Sequence, residues 1–340
     1  MVRRNIIITA TGAYHPEKIV DNDFFVKFYT EIDEKLGSRV SNLLKHIGRD
    51  KRYIADFPNE NALTMAAAAG MEAIKNAGLD PLELDGVIFS SDTPEYVSPC
   101  NAIMLSDMLG ITSTGMVYDL NAGCVGMVVA VDQVRAMMTA NPRLKKVLVV
   151  GSTMLHHYGI KEIDPISYAT IGDAATAVIL EAVEAEEKFG FIDSVYATRT
   201  NLKDYVVMPR CMMSNIYDPS IPAEEKRLHW KPFDTEEPEE RIAGASKQVL
   251  NDNNLQISDM KMLFLTQFSL AALTGIAEKL GFPLERAKYI GDIYGYTGTS
   301  SPFLAYHHAM LDRDLQSGDT IVFSSGGSGI TIASSLYILK

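Results

Sequence analysis

The sequence predicts an α/β fold built from two similar halves, each with a buried parallel sheet. The first observation is that predicted helices alternate with short, continuously apolar strands, which is typical of sheets covered on both faces. The second is an internal repeat, because "GMEAIKNAGLDPLELDGVIFSSD" matches "SKQVLNDNNLQISDMKMLFLTQF" at constant spacing. In this alignment Leu79 corresponds to Leu255 and Val87 to Leu263. A duplicated helix–turn–strand unit predicts two halves packed face to face.

The strands that follow recur in the same order. "KKVLVVGST" in the first half resembles "DTIVFSSGG" in the second, and "DAATAVILEA" resembles "GITIASSLYIL". We therefore predict an N-terminal half over residues 1–197 and a C-terminal half over residues 236–340. Residues 198–235 contain Pro, Met and aromatic residues without a clean period. They are predicted to form an insertion or lid that lines a pocket.

The composition excludes several classes of function. The 340-residue chain has a net charge of −12 and no basic stripe, which argues against nucleic acid binding. The basic cluster "GRDKRY" is either a solvated surface or an anion site that uses Arg49 and Arg52. No His–x–x–x–His or Cys–x–x–Cys pattern points to a metal.

The cysteine content and the first residues indicate a compartment. Three cysteines, Cys100, Cys124 and Cys211, are too few for a disulfide framework and favour a reducing environment. "MVRRNIIITATGAYHPE" resembles a first strand more than a signal peptide. No apolar stretch is expected to reach the ~20 residues that span a bilayer. We expect a cytoplasmic protein without membrane contact.

Cys124, in "LNAGCVGMVVAVDQV", lies where a strand is predicted to end and a helix to begin. A helix N-terminus favours a thiolate and lowers the pKa of a cysteine, which would make Cys124 a nucleophile. Its own backbone N–H would be an oxyanion donor. A cysteine is also a good small hydrophobe for a buried gap. These residues alone leave both roles open.

Several motifs in order along the chain resemble the type III β-ketoacyl-acyl-carrier-protein synthases of the thiolase superfamily. They are "TGAYHPEKIVDND", "HIGRDKRYIA", "SSDTPEYVSPCNA", "DLNAGCVGM", "GDAATAVIL" and "GGSGITIA". The resemblance implies a duplicated five-layer αβαβα fold, usually a homodimer. It also implies that Cys124 forms a thioester with acyl-CoA or acyl-carrier protein, with no bound cofactor. Gly327 and Gly329 then belong to the loop that supplies the second oxyanion N–H.

The chain departs from this family at the two positions that carry its condensation chemistry. In the family, a His and an Asn stabilise the enolate formed when a malonyl thioester loses CO₂. Thr266, followed by Gln267, stands at the His position, and Tyr296 stands at the Asn position. Losing one such donor typically costs ~10²–10³ in rate. Thr and Tyr still donate hydrogen bonds but are poor bases near pH 7, so acyl transfer is easier to justify than decarboxylation.

Two histidines are candidates for the base that the family's missing histidine would supply. His156 and His157, in "GSTMLHHYG", follow a strand whose end faces the site in this family. The alternative is a surface or dimer-edge pair. The candidate substrate-binding residues are then Arg49, Arg52, Trp230, Gln267 and His156.

Two functions remain in view. The first is an acyltransferase that forms an acyl-thioester on Cys124 and passes the acyl group to an acceptor by condensation or simple transfer, in fatty-acid-like or specialised metabolism. The second is a non-catalytic or partly catalytic subunit paired with an active ketosynthase paralogue. An ordinary chain-initiating synthase with a rearranged site is harder to reconcile with two coincident losses.

Overall fold

Two β-sheets organise the chain in the computed structural model, which describes residues 2–340. The elements of the first half, in chain order, are β1 (Arg3–Tyr14), β2 (Ile19–Asp21), α1 (Asn22–Ile32), α2 (Glu34–His46), β3 (Lys51–Tyr53), α3 (Ala62–Ala77), β4 (Gly86–Ser90), α4 (Asn101–Met108), β5 (Met116–Leu120), α5 (Gly126–Ala140), β6 (Lys146–Thr153), α6 (Leu155–Tyr158), α7 (Pro165–Thr170) and β7 (Ala174–Ala185).

The second half begins with a long strand and a small hairpin. Its elements are β8 (Gly190–Leu202), β9 (Val206–Val207), β10 (His229–Trp230), α8 (Glu236–Asn251), β11 (Met260–Leu265), α9 (Leu270–Leu280), α10 (Gly291–Tyr294), α11 (Ser301–Leu311), β12 (Thr320–Gly327) and β13 (Gly329–Ile338).

Four strands of each sheet share one topology, and the first sheet has β5 as an additional edge strand. The first has the order β1-β7-β6-β4-β5 and the second has β11-β12-β13-β8. In the first sheet β4 and β6 run parallel and β7 and β1 run antiparallel; β11, β12, β13 and β8 repeat this pattern in the second. The predicted matches of β6 with β12 and of β7 with β13 are therefore confirmed.

The predicted boundary at residue 197 is wrong. It falls inside β8, which pairs antiparallel with β13 along most of its length and so belongs to the second sheet. The hydrogen bonds of β8, rather than its sequence pattern, decide this membership. The predicted insertion accordingly follows β8 rather than beginning within it, and it contains the β9–β10 hairpin.

The internal repeat is preserved down to single hydrogen bonds. A 3₁₀ turn precedes β4 at Pro81–Glu83, and another precedes β11 at Ile257–Asp259. The Glu83 carboxylate accepts the Asp80 backbone N–H at 3.1 Å, and the Asp259 carboxylate accepts the Gln256 backbone N–H at 2.7 Å. The same acidic cap therefore starts the same turn in both halves, as the alignment predicts.

The halves pack in five layers. Helices α5 and α11 lie between the sheets, where Val131 and Phe303 are fully buried in one core with Val149 of β6 and Phe323 of β12. Helices α3 and α4 cover the outer face of the first sheet, and α8 and α9 cover that of the second. The predicted five-layer fold is confirmed. Gly123–Ala140 is long and apolar enough to cross a membrane, contrary to our expectation, but its apolar faces pack between the sheets as α5.

Arg49 and Arg52 do not form the predicted anion site, because both side chains are buried, at 1% and 0% exposure. Arg49 donates to the backbone carbonyls of Thr170, Gln267 and Phe268 at 3.1, 2.9 and 2.7 Å. The Arg52 guanidinium donates to Ala169 O and stacks over the Phe25 ring. Burial lowers the pKa of both groups. The charge of Arg49 satisfies carbonyls of both halves and that of Arg52 satisfies groups of the first half, so neither faces a ligand.

We expect Arg49→Met to lower the free energy of unfolding by at least about 3 kcal/mol, because it leaves several buried carbonyls without a donor. Urea unfolding followed by circular dichroism measures the loss. Arg39→Met is the control, since Arg39 is exposed on the preceding helix. Equal stability of both variants would contradict this assignment.

Candidate active site

The turn between β5 and α5 places Cys124 at the carboxyl edge of the first sheet. The Asn121 side chain accepts the Gly123 N–H at 3.0 Å, and Gly123 adopts φ +61°, which favours glycine. A side chain at Gly126, the first residue of α5, would approach Ser90 Oγ to 2.4 Å. The Ser325 hydroxyl donates to the Cys124 carbonyl at 3.1 Å. The cysteine is therefore fixed by both halves.

Cys124 opens into an apolar pocket with an empty volume of about 750 Å³, including its mouth. Residues that follow β8, among them Tyr205, Trp230 and Phe233, form one side of this pocket. Trp230 stacks on Phe268 with ring centroids 5.9 Å apart, and Phe233 stacks on Phe268 at 6.2 Å. Trp230 thus stands at the predicted position in the wall. Its contact with substrate stays a prediction.

Thr266 and Tyr296 meet Cys124 at the base of the pocket. Thr266 Oγ1 donates to Tyr296 Oη at 3.1 Å, and the Tyr296 hydroxyl lies close enough to the Cys124 thiol to lower its pKa. Both residues are nearly inaccessible, and burial raises the pKa of Tyr296 well above its usual range. Tyr296 is therefore a neutral donor toward the sulfur near pH 7.

Asp92 is the site residue that the sequence argument missed. Its Oδ2 lies 3.8 Å from Cys124 Sγ, within reach of a hydrogen bond from the thiol. Its Oδ1 is buried without a partner. Burial raises the pKa of this carboxyl group to about 6. Together the four side chains form one line of donors and acceptors, from Thr266 through Tyr296 and Cys124 to Asp92.

A signal for Asp92 was present in "SSDTPEYVSPCNA". Asp92 comes two residues after β4, and β4 lies beside β5 in parallel. The carboxyl ends of adjacent parallel strands meet at one sheet edge, so a residue after β4 must lie near the turn after β5. This stretch also carries the family resemblance, and histidine is the residue type that the family leads one to expect as the base.

The predicted lowering of the Cys124 pKa is wrong. Burial raises the pKa of the thiol, and the nearby Asp92 carboxylate raises it further. Helix α5 begins at Gly126, so Cys124 precedes its first turn, where the helix dipole acts most strongly. The cysteine is therefore a neutral thiol near pH 7, and it would need a proton acceptor to act as a nucleophile.

The loop that carries Asp92 is anchored to the sheet. Asp119, in β5, accepts the Asn101 N–H at 2.7 Å and the Ala102 N–H at 2.8 Å. The Asn101 side chain then accepts the N–H groups of Glu95 and Tyr96 at 2.9 and 3.1 Å. These bonds hold residues 95–102 against the strand that leads to Cys124.

Two other predicted residues lie outside the pocket. The Gln267 amide is fully used inside the protein, donating to Leu265 O and Lys288 O and accepting from Ile290 N. His156 stacks on Tyr168 at 4.7 Å and lines a separate cavity. Within residues 2–340, the pocket that contains Cys124 has no histidine in its lining, so neither residue replaces the missing base.

The glycine-rich hairpin between β12 and β13 closes the pocket beside Cys124. Gly327 and Gly329 both line it. A side chain at Gly327 would approach the Ala122 carbonyl oxygen to 2.7 Å, so this close approach requires glycine. The role of these backbone N–H groups as oxyanion donors, together with that of Cys124, stays a prediction.

Family models match both halves of the chain. Residues 118–200 match 3-oxoacyl-[acyl-carrier-protein] synthase III, and residues 250–338 match the C-terminal part of the same enzyme. The chain is 27% identical over 335 residues to β-ketoacyl-[acyl-carrier-protein] synthase III of Coxiella burnetii, covering 98% of each chain. It is 27% identical over 330 residues to the enzyme of the same name from Methylococcus capsulatus, covering 97% of each.

Solved structures confirm the fold. The 3-oxoacyl-(acyl carrier protein) synthase III of Pseudomonas aeruginosa superposes with a TM-score of 0.87 at 22% identity, over 99% of this chain and 98% of that one. The Thermus thermophilus synthase III gives 0.84 at 25% identity, over 98% and 99%. Xanthomonas campestris OleA, solved with lauric acid and lauroyl-CoA, gives 0.83 at 17% identity, over 98% and 99%.

Removing the Tyr296 hydroxyl should weaken Cys124 as a nucleophile. The hydrogen bond from Tyr296 lowers the pKa of the thiol, so Tyr296→Phe should raise it further. We expect iodoacetamide to alkylate Cys124 roughly tenfold more slowly at pH 9, read by peptide mass mapping. Tyr294→Phe is the control, because the Tyr294 hydroxyl bonds to His308 instead. Unchanged alkylation in Tyr296→Phe would contradict the bond.

Proposed function

Since this chain belongs to the 3-oxoacyl-[acyl-carrier-protein] synthase III family of acyltransferases, we propose that Cys124 accepts an acyl group from acyl-CoA or acyl-carrier protein and passes it to a second substrate. The observation that carries this proposal is the thiol at the base of an apolar, aromatic-walled pocket. Such a pocket suits the hydrocarbon of an acyl thioester. The thioester is itself the substrate, and the reaction requires no resident cofactor.

The second substrate is an acceptor with a proton to lose, such as an amine, a hydroxyl or an activated carbon acid. Decarboxylation of a malonyl thioester leaves an enolate that needs strong donors aimed at its oxygen. Here the two relevant positions hold hydroxyls, and the Thr266 hydroxyl donates to Tyr296. Tyr296 supports the attack of Cys124 as a donor but offers no base. Transfer to an acceptor nucleophile therefore fits this pocket better than decarboxylative condensation.

A subunit that supports an active paralogue is the second candidate function. The raised pKa of the buried Cys124 thiol favours it, because a protonated thiol is a weak nucleophile. Under this alternative the chain shapes a partner's tunnel and acquires no acyl group itself.

A second copy of the chain is the partner that we propose for the first sheet. Strand β5 is the outermost strand of that sheet, so one of its backbone edges is free to pair. Next to it, the anchored loop and α4 expose Tyr96, Val97 and Ile103 at 44%, 82% and 50%. An open strand edge flanked by exposed apolar side chains is typical of a protein interface.

The acyl-enzyme should be visible by intact mass. We expect incubation with medium-chain acyl-CoA to add one acyl group to the wild-type chain and none to Cys124→Ala. Cys100→Ala, a half-buried cysteine outside the pocket, is the control and should acylate normally. Malonyl thioester should release CO₂ at least about 10²-fold more slowly than condensing relatives do. No adduct from any acyl-CoA or acyl-carrier protein donor would instead support the subunit function.

Charge at the proposed interface should separate the copies. We expect Val97→Asp to convert a dimer into a monomer, measured by light scattering after size-exclusion chromatography, because it buries an unpaired charge. Leu311→Asp, at the exposed end of α11, is the control. A wild-type chain that remains monomeric at high concentration would exclude the homodimer, and its co-purification with a paralogue would replace it with a heterodimer.

A further inference from the structure

We propose that Asp92 is the general base of this enzyme, which takes the Cys124 proton during acylation and a proton from the acceptor during transfer. The proposal rests on the acyl-enzyme function proposed above and assigns the residue that makes it possible. It replaces the absent histidine with a carboxylate from the other half of the fold.

The geometry carries the assignment. Asp92 Oδ2 lies 3.8 Å from Cys124 Sγ, so the carboxylate touches the atom that reacts. Tyr296, on the same sulfur, acts as a donor, which leaves the thiol hydrogen free to point toward Asp92. A nucleophile held between one donor and one acceptor is arranged for proton removal as it attacks.

Asp92 has no structural task comparable to those of its neighbours. Asp119 caps α4 by accepting two backbone N–H groups, and Asp85 accepts those of Lys145 and Lys146. The Asp92 Oδ1 is instead buried without any partner. Burying a carboxylate oxygen unsatisfied is unfavourable, and such groups concentrate at functional sites.

The protons balance in both half-reactions. In acylation, Asp92 accepts the Cys124 proton while sulfur attacks the thioester carbonyl. The C–S bond to the donor thiol then breaks, and the protonated Asp92 returns the proton to the departing thiolate. In transfer, Asp92 accepts the proton of the acceptor nucleophile as that atom forms its bond to the acyl carbon. The Cys124–acyl bond breaks, and the proton passes to sulfur and restores the thiol.

The reaction should follow the titration of Asp92. The titratable groups that face it are Cys124 and Tyr296, and the pKa of each is raised, so both are neutral between pH 5 and pH 8. Burial places the Asp92 pKa at about 6. A base acts when deprotonated, so the acylation rate should rise with pH through about 6 and then level off.

The test compares the acylation rate with simple thiol reactivity in Asp92→Asn. Removing the carboxylate should slow acylation by acyl-CoA about 10²-fold at pH 7.5, and should abolish the rise near pH 6. The same change removes the negative charge that raises the Cys124 pKa. Alkylation of Cys124 by iodoacetamide at pH 9 should therefore become faster. A merely structural role would slow both reactions together.

Glu95→Gln is the matched control, because Glu95 is a half-buried carboxylate on the same loop whose Oε1 is likewise buried without a partner, while the Cys124 thiol donates to Asp92. It should acylate at the wild-type rate with the wild-type pH profile. Asp92→Asn that acylates like the wild type, or that slows acylation and alkylation equally, would overturn the role of Asp92. A wild-type chain that forms no acyl adduct would instead refute the proposed function on which this inference rests.

Discussion

The arrangement of this site depends on holding a carboxylate against a buried thiol. Burial disfavours the ionisation of both groups, and the Asp92 carboxylate raises the pKa of Cys124 further, whereas the hydrogen bond from Cys124 lowers that of Asp92. Such a pair persists when the backbone around it is rigid. The anchored loop through Asn101 and Asp119 supplies that rigidity on one side, and the Ser325 bond to Cys124 supplies it on the other. The pocket walls then exclude the water that would relax the pair.

The fold explains why these residues converge. Parallel strands direct their carboxyl ends to one edge of a sheet, so the turns after β4 and β5 meet in the first half. The turn after β11 reaches the same pocket from the second half. Arg49 strengthens this convergence by bonding the segment before β7 to the loop after Thr266. Arg49, which does not form an anion site, therefore helps to position Thr266 and its hydrogen bond to Tyr296. Arg49 does not line the pocket and affects it only by holding these two segments together.

The sequence sufficed for the architecture and for the place of Cys124 in the turn between a strand and a helix. The repeat predicted both sheets, because apolar strands and their acidic caps are local patterns that survive duplication, as Glu83 and Asp259 show. The sequence pattern could not assign β8 to the second sheet, because strand pairing depends on contacts between distant parts of the chain. Burial was the other obstacle. Three buried polar residues bond to backbone carbonyls and N–H groups: Arg49, Arg52 and Gln267. No sequence pattern predicts such partners. Asp92 was missed because the search followed residue type rather than strand order.

The duplication gives the thiol two neighbouring loops that are copies of each other. Thr266 directly follows β11 in the second half, and Asp92 follows the corresponding strand β4 in the first. By the constant spacing of the repeat, Thr266 corresponds to Ser90, so Asp92 lies two residues further along the equivalent loop. Asp92 contacts the sulfur directly, and Thr266 bonds to Tyr296 on the other side of the pocket. A catalytic group on the loop of one half can thus be replaced by a group on the equivalent loop of the other half. With Asp92 as the base, a fold of this kind would keep its proton transfer after losing the histidine, because a residue of the other half takes over that step.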